Sequence, residues 1–256
     1  MRFMFVFGLL GMILAALAIL LARDAHGGWW WLVGAEGYLA SCFLAVAAIY
    51  GLRPAGFSVE DVPRRSIGSF ILRVILLPYL ALGGAILYFA RWFDSEGLLN
   101  PVAPGLFIGR LPFPSERIRV RDAGVQAVLN LCWEFPRLSQ VDRDPRLATI
   151  HVPILDAGAP TESQFQTAVE VVTQWHATGR CVLIHCAQGH GRTATIAAAV
   201  LVRLQLAADA GEALCRVRAV RPFAIPSREQ KAALIQYLAS ARLDRAISNL
   251  SPTEKP

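Results

Sequence analysis

Two residue types, set six positions apart, define the chemistry open to this chain: the thiol of Cys186 and the guanidinium of Arg192. They lie in Val182-Leu-Ile-His-Cys-Ala-Gln-Gly-His-Gly-Arg-Thr-Ala194, an apolar run, a glycine-containing turn and a helix start. A strand feeding a loop at a helix N-terminus points successive backbone N–H groups at one spot, where the helix dipole also favours negative charge. Ala187, Gln188, Gly189, His190 and Gly191 therefore form a candidate phosphate cradle. Arg192 closes it with a planar fork able to hold two oxygens of a phosphoryl group. The same field favours the thiolate of Cys186. A nucleophile aimed at phosphorus from the floor of such a cradle suits covalent phosphoryl transfer.

The spacing alone is weak, since a chain with five cysteines and 23 arginines in 256 residues gives about 0.4 Cys-x5-Arg matches by chance. Cys215 and Arg221 also fit it, but that segment lacks glycine, follows no strand and lies in a helical pattern, so Cys215 reads as a core or surface thiol. The odd cysteine count, without a CxxC pair, opposes a disulfide framework or a zinc site. Transfer from an alcohol or phenol also needs an acid for the leaving oxygen. Asp156, 30 residues before Cys186 at the end of a strand pattern, is the best candidate, against a plain turn or capping role. Glu134, Asp142 and Asp144 are rivals expected to be solvated, in or beside the polar stretch 134–146. His185 reads as a buried group hydrogen-bonding near the loop, and His190 faces either solvent or substrate. Gln230 is a helix-surface residue or a positioner of water. Cys181 should point away from Cys186, leaving a regulatory disulfide a minor option.

The run His185-Cys186-x-x-Gly189-x-x-Arg192-Thr193 resembles the signature of the cysteine-dependent protein tyrosine and dual-specificity phosphatase superfamily, over roughly residues 98–243. The resemblance implies a phosphocysteine on Cys186, a Thr193 hydroxyl that stabilises the departing thiolate, an aspartate on a mobile upstream loop, and neither metal nor cofactor. Asp156 fits that loop through its Asp-x-Gly-x-Pro run, although Ile154 and Leu155 replace the Trp-Pro of tyrosine-specific members. The expected substrate is a phosphoprotein carrying phosphotyrosine, phosphoserine or phosphothreonine. The alternative is a lipid, phosphatidylglycerophosphate or a phosphoinositide: the Gly-x-Gly-Arg-Thr ending is similar to lipid-directed members, while Ala187 and His190 stand where inositide-specific relatives carry lysines. Cys186, Arg192 and Asp156 together oppose an inactive phosphate-binding module, and Gly189 with Thr193 opposes a rhodanese-like loop.

Elements must hold these residues in place. Strand patterns cover 105–109, 125–130, 149–154 and 181–185, and helical patterns cover 161–178, 192–206, 211–220 and 227–243. This alternation predicts an α/β domain, a central mixed sheet flanked by helices. Residues 244–256 read as a C-terminal tail.

The first 93 residues differ in kind. The chain is 55% hydrophobic and 17% charged, with mean hydropathy +0.44, and the apolar surplus sits in three runs, 3–22, 29–52 and 67–93. Each is long enough to cross a bilayer core of about 30 Å, which predicts an uncleaved, multi-pass integral membrane region with three spans. Trp29, Trp30 and Trp31 form an interfacial belt and Glu36 lies near it. Arg73 can snorkel and Pro78 is tolerated as a kink. The net charge of +6 comes without an aromatic-interleaved basic stripe, so anionic lipid headgroups are the expected partner and nucleic acid is not. Arg53, Arg64 and Arg65 place the second loop in the cytoplasm, and three spans then put the catalytic domain outside. A free thiol is more easily kept reduced in the cytosol, so the side stays open.

Overall fold

The computed structural model describes residues 2–24, 27–53, 66–93, 95–135 and 144–250. Arg64, Arg65, Asp142 and the tail Ser251–Pro256 lie outside them. The chain divides into two units, Met1–Phe93 and Asp94–Pro256.

In the first unit, α1 (Arg2–Asp24) and α2 (Trp30–Leu52) are both long and apolar enough to cross a membrane. They pack closely through small residues. A Cβ on Gly11 would lie 2.8 Å from Leu44 Cγ, and one on Gly51 would lie 2.9 Å from the Met4 sulfur. Glycine at such a crossing lets the backbones approach. The expected third span is not one helix. Residues 67–90 form α3 (Ile67–Ile75) and α4 (Leu77–Ala90), bent by 63°. Pro78 accounts for the break, because its ring has no N–H to give the Val74 carbonyl and collides with it in a continuous helix. Ser66 caps α3 by accepting the Ser69 N–H at 3.1 Å.

The second unit carries a five-stranded mixed sheet. Its strands are β1 (Leu99–Ala103), β2 (Leu106–Arg110), β3 (Ala127–Cys132), β4 (Ala148–Ile154) and β5 (Val182–Cys186), in the order β1-β2-β5-β3-β4. β1 and β2 are an antiparallel hairpin and the other neighbours are parallel. β5 is central, and all five of its residues are buried. Val128 and Leu183 join Leu98, Val120 and Val125 in one core cluster, which brings in the short helix α5 (Arg117–Asp122). The remaining helices are α6 (Glu162–Ala177), α7 (Gly191–Arg203), α8 (Ala210–Val220) and α9 (Arg228–Leu250).

Every residue of α7 from Arg192 to Leu201 is buried. The helix packs against β5, α6, α8 and α9, which is what apolar residues all round a helix require. Ile196, Val200 and Leu201 are fully buried there, each contributing roughly 1.5–3 kcal/mol of hydrophobic stabilisation. The site is therefore built on a strand buried along its whole length and on a helix buried from Arg192 to Leu201. Thr161 caps α6 in a reciprocal box with Gln164, fixing the chain just beyond Asp156.

Candidate active site

β5 runs parallel to β2 and β3, with Arg110 opposite Cys186 and Asn130 opposite His185. The loop after Cys186 thus emerges at the carboxyl edge of the central strands, where open α/β sheets place their ligands. Cys186 is the last residue of β5, and Gly191 is the first of α7. Gly189 has φ +77°, and a Cβ there would stand 2.4 Å from Gly109 O. Only glycine fits, because the conformation is left-handed and β2 leaves no room.

Arg192 is 2% exposed and held by three groups. Nη1 donates to both oxygens of Glu134, at 3.0 and 2.8 Å, and to Ile154 O at 2.8 Å. Nη2 donates to Asp156 Oδ1 at 2.9 Å. Its buried Nε has no protein partner among the described residues, nor has the buried hydroxyl of Thr193. A buried unpartnered donor is unfavourable until an acceptor meets it, so this edge of the fork suits an oxyanion. Burial works against the charge of Arg192, but the carboxylates of Glu134 and Asp156 more than offset it, and the group stays well above its ordinary value. Burial pushes the Glu134 carboxyl up, with the attraction of Arg192 opposing. Asp156 differs from Glu134 in access: their side chains are 59% and 6% exposed. Of the two carboxylates, Asp156 is the one open to solvent.

Glu134 is the correction that matters most, because it was expected in solvent. It follows β3 by two residues, and that parallel strand delivers it to the same sheet edge as Cys186. The detectable signal was a carboxylate just past a buried strand, masked by the polar stretch after it. Gln230 is a second correction, for it is 1% exposed. Its Nε2 donates to Gly158 O at 3.0 Å and its Oε1 accepts the Ser227 N–H at 2.9 Å. It also abuts the first residue of α7: a Cβ on Gly191 would lie 2.6 Å from Oε1. Gln230 thereby links the segment carrying Asp156 to the start of α9.

His185 is fully buried. His190 is turned toward Glu96, with Nε2 to Oε2 at 2.8 Å. Asp144 is bound to Arg146 and Arg117, whose donated hydrogen bonds, those of Arg146 above all, hold it well below the usual carboxylate range; it is not part of the Arg192 cluster. Cys215 lies exposed on α8, Cys181 is partly exposed, and both are free thiols. Cys132 is buried at the end of β3, and that burial raises its thiol well above the ordinary value, with Arg192 opposing and Cys186 near enough to be felt. The structure thus gathers Cys186, Arg192, Thr193 and Asp156 around the loop 187–191 and adds Glu134 and Gln230.

Residues 115–206 match a family model described as "Polymorphic toxin system, DSP-PTPase phosphatase". Among curated proteins, the chain is 27% identical over 150 residues to the phosphatidylglycerophosphate phosphatase PTPMT1 of Arabidopsis thaliana. That match covers 57% of this chain and 42% of the plant protein, so the chain spans less than half the length of that relative. It is 32% identical over 129 residues to the phosphatidylglycerophosphatase and protein-tyrosine phosphatase 1 of Mus musculus, over 46% of this chain and 67% of the mouse protein. A crystal structure of PTPMT1 in complex with PI(5)P superposes with a TM-score of 0.54 at 20% identity, over 58% of this chain and 99% of the other; at that identity the likeness is one of fold. From the cradle on β5 and α7, the family model and the mouse relative, it follows that this chain belongs to the cysteine-dependent protein tyrosine and dual-specificity phosphatase superfamily.

Proposed function

We propose that the protein is a membrane-anchored phosphatase that hydrolyses phosphate monoesters through a phosphocysteine intermediate. The observation that carries this reading is Arg192, buried and held by Glu134 and Asp156 with Nε unpartnered, at the mouth of the loop that Cys186 opens. An arriving phosphoryl group takes the Nε and Nη2 edge and displaces Asp156. The Cys186 thiolate attacks phosphorus, the bond to the ester oxygen breaks, and Asp156 gives that oxygen its proton. Water then attacks the phosphocysteine, Asp156 takes the water's proton, and the thiolate leaves toward the Thr193 hydroxyl. Arg192 and the amides of Ala187–Gly191 hold the equatorial oxygens throughout.

The substrate in this reading is a phosphoprotein, with phosphate on tyrosine, serine or threonine. A phospholipid headgroup is the second reading, and two observations favour it. Two helices of the chain are able to cross a membrane, which would hold the site at high effective concentration over a lipid surface. Both curated relatives described above are named for phosphatidylglycerophosphate hydrolysis. We place the protein in the membrane as an integral, multi-pass chain with anionic lipids around it. The test is phosphate release by the full chain in detergent from phosphotyrosyl, phosphoseryl and phosphothreonyl peptides, phosphatidylglycerophosphate and a phosphoinositide. Turnover of peptides supports the first reading, turnover of lipids alone replaces it with the second, and no release from any substrate overturns both.

A further inference from the structure

The carbonyls of the cradle are held from behind. Leu111 N–H donates to Ala187 O at 3.1 Å, and Arg221 Nη2 donates to Gln188 O at 2.8 Å. A trans peptide is planar, with its C=O and N–H pointing in opposite directions. A bond that draws the Gln188 carbonyl outward therefore turns the Gly189 N–H inward, where a bound oxyanion would meet it. Arg221 is itself fixed: it is 0% exposed, and its Nη1 donates to Asn100 Oδ1 at 2.7 Å and to Gly97 O at 3.2 Å.

Its charge is met by Glu96, whose Oε2 lies 3.3 Å from Arg221 Nε, with side-chain exposures of 0% and 2%. The same Oε2 lies 2.8 Å from His190 Nε2, and Oε1 accepts the Phe223 N–H at 2.5 Å. One buried carboxylate thus joins a cradle residue, the strut behind the cradle and the turn after α8. A buried ion pair stabilises a fold less than apolar packing of the same volume, so its presence here is better explained by the geometry it fixes.

We infer that Arg221 and Glu96 are positioning residues for the phosphoryl group: Arg221 aims the Gly189 amide through the Gln188 carbonyl, and Glu96 locks Arg221 and His190 in register. Its reaction rests on the phosphatase reading above, while its anion binding does not. Glu96 stands three residues beyond Phe93, so the segment that follows the N-terminal unit in sequence is a working part of the cradle.

The experiment compares wild type, Arg221→Lys, Arg221→Met and Glu96→Gln as full chains in detergent. Tungstate affinity and stoichiometry are measured by calorimetry, and kcat and KM with an aryl phosphate. Removing a preorganised donor costs about 10² to 10³ in rate; mis-aiming one should raise the tungstate Kd about 10-fold in Arg221→Met and lower kcat by a similar factor. Glu96→Gln should shift both in the same direction by a smaller factor. Arg221→Lys, with a donor still able to reach Gln188 O, should recover part of the loss. A merely structural role lowers stoichiometry and leaves Kd unchanged, and that outcome, or an unchanged Kd and kcat, overturns the inference. Should Arg221→Met fail to fold, Glu96→Gln decides by the same criteria, since it keeps the acceptor for Phe223. Wild type that binds tungstate but hydrolyses no monoester would sink the phosphatase reading, and the Kd comparison would still decide this one.

Discussion

Arg192 and its two carboxylates divide the labour of the site by exposure. Cys186→Ser should abolish turnover while tungstate still binds, because the cradle survives without its nucleophile. Cys215→Ser, on the exposed face of α8, should leave kcat within about twofold, in line with the small effects of surface changes; equal loss in both variants would move the nucleophile elsewhere. Asp156→Asn should lower kcat by about 10² or more, and the loss should shrink as the leaving group improves. If alkyl and activated aryl phosphates suffer alike, Asp156 is not the acid.

Glu134 makes a different kind of prediction, because burial raises its folded value above that of the unfolded chain. Between those two values the native state holds a proton that the unfolded state has lost, so stability must fall as pH rises through that window. Each unit of upward displacement corresponds to about 1.4 kcal/mol. Thermal unfolding of the full chain in detergent, followed upward from the ordinary carboxylate range, should show this decline in wild type and a flatter profile in Glu134→Gln. Parallel profiles would mean that the Glu134 carboxyl titrates alike in both states.

At the scale of elements, two glycines with positive φ separate strain from function. Gly105 has φ +69° with no neighbour nearer than 3.8 Å to a Cβ placed on it, whereas Gly189 adds to φ +77° a collision at 2.4 Å with the backbone of β2. Gly105→Ala should therefore lose about 1–2 kcal/mol of stability with unchanged kcat/KM. Gly189→Ala must move the cradle or the strand and should lose at least about 10² in kcat/KM, the scale of a lost preorganised donor. Matching kinetics in the two variants would separate the Gly189 conformation from catalysis.

These elements also mark what was legible in the sequence. The β5-loop-α7 unit was readable because chemistry, glycine and helix start coincide within a dozen residues. β1 was not, since Pro101 argues against a strand until the strand is known to lie at the sheet edge, where a missing N–H costs little. Glu134, Gln230, Arg221 and Glu96 were opaque for a shared reason. Each acts on the cradle from 30 or more positions away in sequence, through pairing that only the parallel sheet and the turn after α8 create.

For the molecule as a whole, the broken third hydrophobic segment bears on which side of the membrane the chemistry occurs. α3 has nine residues and α4 has 14, about 14 and 21 Å of helix, and neither alone crosses a core of about 30 Å. Bent by 63°, the pair suits a segment that enters the bilayer and returns. If the loop with the arginines at 53, 64 and 65 is cytoplasmic, as the positive-inside rule expects, a returning pair would leave the catalytic unit on that side, where a thiol is more easily kept reduced. Charge count and thiol chemistry, which conflict for three full spans, agree for two spans and a re-entrant pair. Cys215, exposed on α8, reports the outcome. In cells making the full chain with Cys181→Ser, a membrane-impermeant maleimide should label Cys215 only after permeabilisation, with Cys215→Ser as the blank. Labelling of intact cells would mean that α3 and α4 cross together as one span, and that the cradle works in an oxidising space where Cys186 needs protection the fold must supply.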